Sequence, residues 1–116
     1  MKFLLNVIDS RTGYATSQEM ADITAFNNGV RDQGNFVLAA GLSAPEESRV
    51  FDANGSEEPT PERVGASTDF ASSSAPHPYV SGFWILECDD AESAAQLASQ
   101  AARACARRVE LRPFLD

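Results

Sequence analysis

Hydrophobic positions follow two different periods along the chain, and the switches between them set out its elements. From Lys2 to Ile8, Phe3, Leu5 and Val7 alternate with Leu4, Asn6 and Ile8. That two-residue period predicts a mostly buried strand with Asn6 as its one polar interior candidate. After a loop over 9–15 the period becomes helical. Met20, Ile23, Asn27 or Phe26, and Val30 form one stripe, Thr16 and Glu19 have capping-box spacing, and Gly34 stands where a helix ends. The run from Asn35 to Ala40 (NFVLAA) predicts a second strand.

The middle of the chain loses both periods. A short strand is expected over Arg49 to Phe51, followed by a tight turn at Asn54-Gly55. Pro59 and Pro61 push any returning strand to about Glu62, with Arg63 to Ser67 as its candidate. Thr68 to Pro78 (TDFASSSAPHP) has the composition of a surface loop.

Regular patterning returns at Ser81. Gly82 to Leu86 is an apolar, aromatic-rich strand whose two faces carry Phe83 and Ile85 on one side and Trp84, Leu86 and Cys88 on the other. Asp89 and Glu92 have capping-box spacing, so Asp89 is expected to start a helix ending near Ala104. Helix capping also accounts for the Asp89-Asp90 pair better than metal or acid chemistry does. Ala91, Ala94, Ala95, Ala98, Ala101, Ala102 and Cys105 give that helix a small-residue face that lies close against a sheet. Arg107 to Arg112 closes the chain as a strand.

The order strand, helix, strand, insertion, strand, helix, strand predicts an α+β fold. Its form is a ferredoxin-like β-α-β-β-α-β sandwich with a hairpin or loop insertion. Helices cover one face of such a sheet. Trp84, Leu86, Leu4 and Ile8 are expected on the other, where a second copy of the chain would cover them and form a dimeric α+β barrel.

Composition narrows the function classes. At 116 residues, residues 1–116 form a single domain. Net charge is −8 and no basic patch is visible, so a nucleic-acid partner is not expected. No apolar stretch reaches membrane-span length, and MKFLLNVIDS is too interrupted for a signal peptide; a cytoplasmic location is expected. Cys88 and Cys105 lack metal-ligand or disulfide-framework spacing and are read as small buried hydrophobes, so neither metal nor cofactor is expected. No nucleophile elbow surrounds Ser72 to Ser74, and no glycine-rich phosphate loop is present.

Two groups of residues are candidates for chemistry. Asp69 and His77 are the available acid–imidazole pair, suited to general acid–base catalysis in the loop before the third long strand. Asn6, Arg11 and Tyr14 near the end of the first strand, with Trp84, are candidates for a small-molecule pocket between sheet and helices.

Taken together, MKFLLNVI, TSQEMADITAFNNGVRDQG followed by a strand and AAGL, GFWILECDDAESAAQLA and VELRP resemble the YCII-related family, most nearly its DGPF-domain branch. The resemblance spans nearly the whole chain. It implies a dimeric α+β barrel, a homodimer, and a site of small-molecule binding with lyase- or isomerase-like proton transfer. The Asp-Gly-Pro-Phe motif is reduced here to Thr68-Asp69-Phe70, which makes Asp69 the counterpart of its aspartate. The histidine that YCII-type proteins place on the first helix is absent from 22–31. Two alternatives remain open: a non-catalytic structural or regulatory homodimer, and a cofactor-free monooxygenase of the dimeric α+β barrel class.

Overall fold

The computed structural model describes residues 1–10, 15–58 and 78–115. Strand β1 (Lys2–Asp9) buries Phe3, Leu5, Val7 and Asp9, while Leu4, Asn6 and Ile8 on its other face are only half-buried. Helix α1 (Ser17–Asp32) begins with the expected capping box. The Thr16 hydroxyl accepts from the Glu19 amide and the Glu19 carboxylate accepts from the Thr16 amide. Gly34 follows the helix at φ +81°, a conformation that costs a glycine nothing and an L side chain about 1 kcal/mol.

Strand β2 (Phe36–Gly41), a 3₁₀ turn at Pro45–Glu47, strand β3 (Tyr79–Glu87), helix α2 (Ala91–Cys105) and strand β4 (Arg108–Pro113) complete the described elements. The strands form one antiparallel sheet in the order β2-β3-β1-β4. Two helices over a four-stranded antiparallel sheet give an α+β architecture compatible with the expected ferredoxin-like sandwich. No helix among the described residues is long and apolar enough to cross a membrane.

Register decides which side chains meet. Leu5 stands opposite Trp84 and Phe3 opposite Leu86, and all four are buried beneath the helices with Val30, Ala94, Leu97, Ala98, Ala101 and Cys105. Burying each large side chain contributes about 1.5–3 kcal/mol. Trp84 and Leu86 therefore belong to the helix-covered face, not to the open face expected from the sequence. Leu4 and Ile8 do lie on the open face, where their cross-strand neighbours are Ile85 and Val80, with Phe83 opposite Asn6 and Leu38 opposite Ile85. The antiparallel pairing of β1 with β3 fixes this parity, and the run Gly82 to Leu86 could not reveal it alone.

Two further expectations shift. Asp90, not Asp89, caps α2: its backbone is extended (φ −152°, ψ 172°) and its carboxylate accepts from the Ser93 amide at 2.7 Å. The chain enters the helix one residue later than the Asp89–Glu92 spacing suggested. The described part of the middle insertion closes a turn of its own. Phe51 bridges to Glu57 around a turn in which Gly55 has φ +85°, and Arg49 grips Glu57 with Nε 2.6 Å from Oε2. The expected strand over 63–67, and 68–77 of the expected loop over 68–78, lie outside the described residues. Finally, α2 keeps its small-residue face, but Ala91 and Ala95 point outward and Leu97 joins the buried side.

Candidate functional site: a cavity between α1 and the sheet

Helix α1 packs chiefly against α2 and touches β2 only lightly, which leaves a space between α1 and the β2–β3 half of the sheet. A cavity of about 520 Å³ occupies it. Val7, Met20, Ile23, Ala39 and Trp84 form its apolar walls, and the chain from Gly41 to Ala44 forms a rim. The register between β1 and β3 slips by one residue beside Val7, so that Ser81 is the extra residue of a bulge and also lines the cavity. Gly82 is required where the rim closes. A Cβ there would stand 2.9 Å from the Ala40 carbonyl oxygen, so only glycine lets β2 approach this closely.

The floor is charged. Phe3, Leu5 and Val7 set a buried parity on β1, and Asp9 continues it as the buried polar residue of the described core. Arg107 answers Asp9 from the other end of the chain. Its Nε donates to Asp9 Oδ2 at 2.6 Å, and its Nη1 donates to Glu19 Oε1 at 3.2 Å and to the Cys105 carbonyl at 2.8 Å. The Arg107 side chain is 8% exposed and that of Asp9 5%. Burial works against the guanidinium charge, but the hydrogen bonds and charges of Asp9 and Glu19 outweigh it and hold the group above its ordinary range. Asp9 and Glu19 have further partners besides Arg107.

Local sequence explains how Arg107 reaches inward. Ala106 ends α2 in the left-handed region (φ 54°, ψ 37°), which reverses the chain before β4. Arg107 then satisfies the Cys105 carbonyl, one of the acceptors that a helix end leaves without an intrahelical donor. Glu19 serves two purposes, closing the capping box of α1 and binding Arg107, so the start of α1 is tied to the end of α2.

The upper part of the cavity carries a second polar pair. The Trp84 indole nitrogen donates to Asn27 Oδ1 at 2.6 Å, and the Trp84 ring meets Phe26 edge to face with centroids 5.3 Å apart. Because an indole N–H only donates, this bond fixes the Asn27 oxygen toward Trp84 and turns its Nδ2 the other way. Cys105 also lines the cavity, and burial pushes its thiol up, as it does that of Cys88; both are free and buried. Neither therefore has the lowered pKa of a reactive thiolate.

Among the sequence-predicted site residues, Trp84 lines this cavity. Asn6 sits on the opposite face of β1, where its Nδ2 donates to Glu110 Oε1 at 3.0 Å. Arg11, Tyr14, Asp69 and His77 lie outside the described residues. The sequence reading did not single out Asp9, Glu19, Asn27 or Arg107 as site residues. One signal was present: Asp9 falls on the buried parity of Phe3, Leu5 and Val7, and a buried carboxylate requires a cationic or hydrogen-bonding partner. Nothing in the sequence named Arg107 as that partner, since 98 residues separate the two.

Compared with known proteins, the chain matches no family model, and no curated protein is significantly similar to it.

Proposed function

We propose that this chain is a small-molecule-binding domain, its ligand held between α1 and the β2–β3 half of the sheet. The observation that carries the proposal is the cavity of about 520 Å³ with apolar walls above a buried, charged floor. Its volume lies within the range typical of sites for drug-sized ligands, roughly 300–1,000 Å³, and a few convergent polar groups in an apolar enclosure are what such sites use for orientation. In this reading the chain is a YCII-like domain of the DGPF branch, on the motifs quoted above, with the ferredoxin-like topology of that class. Asp69, the counterpart of the motif's aspartate, and His77, the imidazole available beside it in sequence, are assigned the acid–base chemistry. Asp69→Asn and His77→Ala are each expected to abolish any turnover.

The open face of the sheet supports the second part of the proposal, a homodimer that closes the barrel. Leu38 and Val80 are 47% and 40% exposed there, beside half-buried Leu4, Ile8, Phe83 and Ile85. A second copy of this face is self-complementary about a twofold axis.

A fragment panel screened by thermal shift tests the binding reading. Small aromatic fragments are expected to raise the melting temperature of the wild type and to leave Ala39→Phe, which fills the cavity from β2, unmoved. Equal shifts in the two proteins would place binding elsewhere.

A further inference from the structure

Among the described residues, the amide and guanidinium groups left uncommitted at the cavity are both donors. Arg107 uses Nε and Nη1 on Asp9, Glu19 and the Cys105 carbonyl, and among the described residues Nη2 has no partner. Its side chain is more than nine-tenths buried and lines the cavity. Asn27 spends its oxygen on Trp84, and its Nδ2 likewise has no partner among the described residues. Both are donors. The carboxylates that line or flank the floor are already engaged, and the hydroxyls of Ser43 and Ser81 turn either way. A ligand that satisfies Arg107 Nη2 and Asn27 Nδ2 must bring acceptors.

Charge narrows the choice further. Arg107 is the one cation among the described lining residues, and two carboxylates already stand within 3.2 Å of its nitrogens. Among the described residues, a carboxylate or phosphate ligand would be the third anion around the Arg107 guanidinium, in a site where burial strengthens like-charge repulsion. An uncharged oxygen accepts from Nη2 without that repulsion. Above it, Trp84, Ile23, Met20 and Ala39 offer an apolar enclosure in which an indole and a thioether favour an aromatic ring.

We infer that the ligand of this cavity is an uncharged aryl carbonyl compound of one or two rings. Its ring lies among Trp84, Ile23 and Met20, and its carbonyl oxygen accepts from Nη2 of Arg107. This rests on the pocket reading above and names the chemistry of its ligand.

Trp84 is the single tryptophan of the chain, so its indole N–H gives one resonance that reports on the cavity wall. Three probes of nearly one shape separate the possibilities in the wild-type protein: acetophenone, α-methylstyrene, in which a methylene replaces the oxygen, and benzoate, which adds the charge. Acetophenone is expected to move the Trp84 resonance with at least tenfold higher affinity than either of the others. If α-methylstyrene or benzoate binds as tightly as acetophenone, the carbonyl inference is overturned and the pocket reading stands. If none of the three moves the resonance, the pocket reading falls with it.

Discussion

Ala106 and Arg107 are adjacent, and together they fix the floor of the cavity. Ala106 is the one non-glycine residue with positive φ among the described residues, at 54°. An L side chain held there costs about 1 kcal/mol relative to glycine. Ala106→Gly is therefore expected to stabilise the fold by about that amount, seen as a rise of several degrees in melting temperature. Its neighbour predicts the opposite. Arg107→Met removes the cation from a buried cluster and leaves Asp9 and Glu19 without it, a loss of about 3–5 kcal/mol measurable by urea unfolding at pH 7. A loss below 1 kcal/mol would mean that Arg107 contributes little to holding the two carboxylates. These residues also mark where sequence reading stopped. The capping role of Glu19 was legible from Thr16 because the two are three residues apart. Its second role was not, because Arg107 lies 88 residues away and only the fold brings the two together.

At the scale of elements, local rules carried most of the assignment. Both helices, the four strands and the alternation along β1 follow from period and caps. The errors came from choices that a pairing or a single turn decides, such as Asp89 against Asp90 and the face given to Trp84. The cap yields a pH-dependent prediction. Hydrogen bonds from the Ser93 backbone and hydroxyl, and from the Glu92 backbone, hold the Asp90 carboxyl below its ordinary range. Since its folded value is depressed, the stability it adds is present above the unfolded value of about 3.9 and is lost as pH falls through the folded value. Asp90→Ala is expected to lower the urea midpoint at pH 7, the deficit shrinking below about pH 4, whereas Asp89→Ala should leave the midpoint nearly unchanged. The pairing of β2 with β3 makes a further prediction. Gly82→Ala sets a methyl 2.9 Å from the Ala40 carbonyl oxygen, and since backbone must yield, amide exchange along Phe36–Gly41 is expected to accelerate.

For the whole molecule, two apolar regions compete as binding surfaces: the cavity under α1 and the open face of the sheet. The dimer reading assigns the open face to a second copy. Light scattering is expected to give twice the chain mass at micromolar concentration, and Ile85→Lys, which puts a charge at the centre of that face, to give a monomer. The cavity reading assigns the other region to a ligand, and here the sequence was least informative. Trp84 was legible as a wall residue, but the charged floor joins β1, α1 and the segment between α2 and β4, and no motif spans those three places. The central claim is that a ligand enters beneath α1. Intermolecular nuclear Overhauser effects between acetophenone and the methyl groups of the protein test it most directly. The account predicts contacts to Ile23, Met20 and Ala39 together with the Trp84 indole, while contacts confined to Leu4, Ile8 and Ile85 on the open face would contradict it.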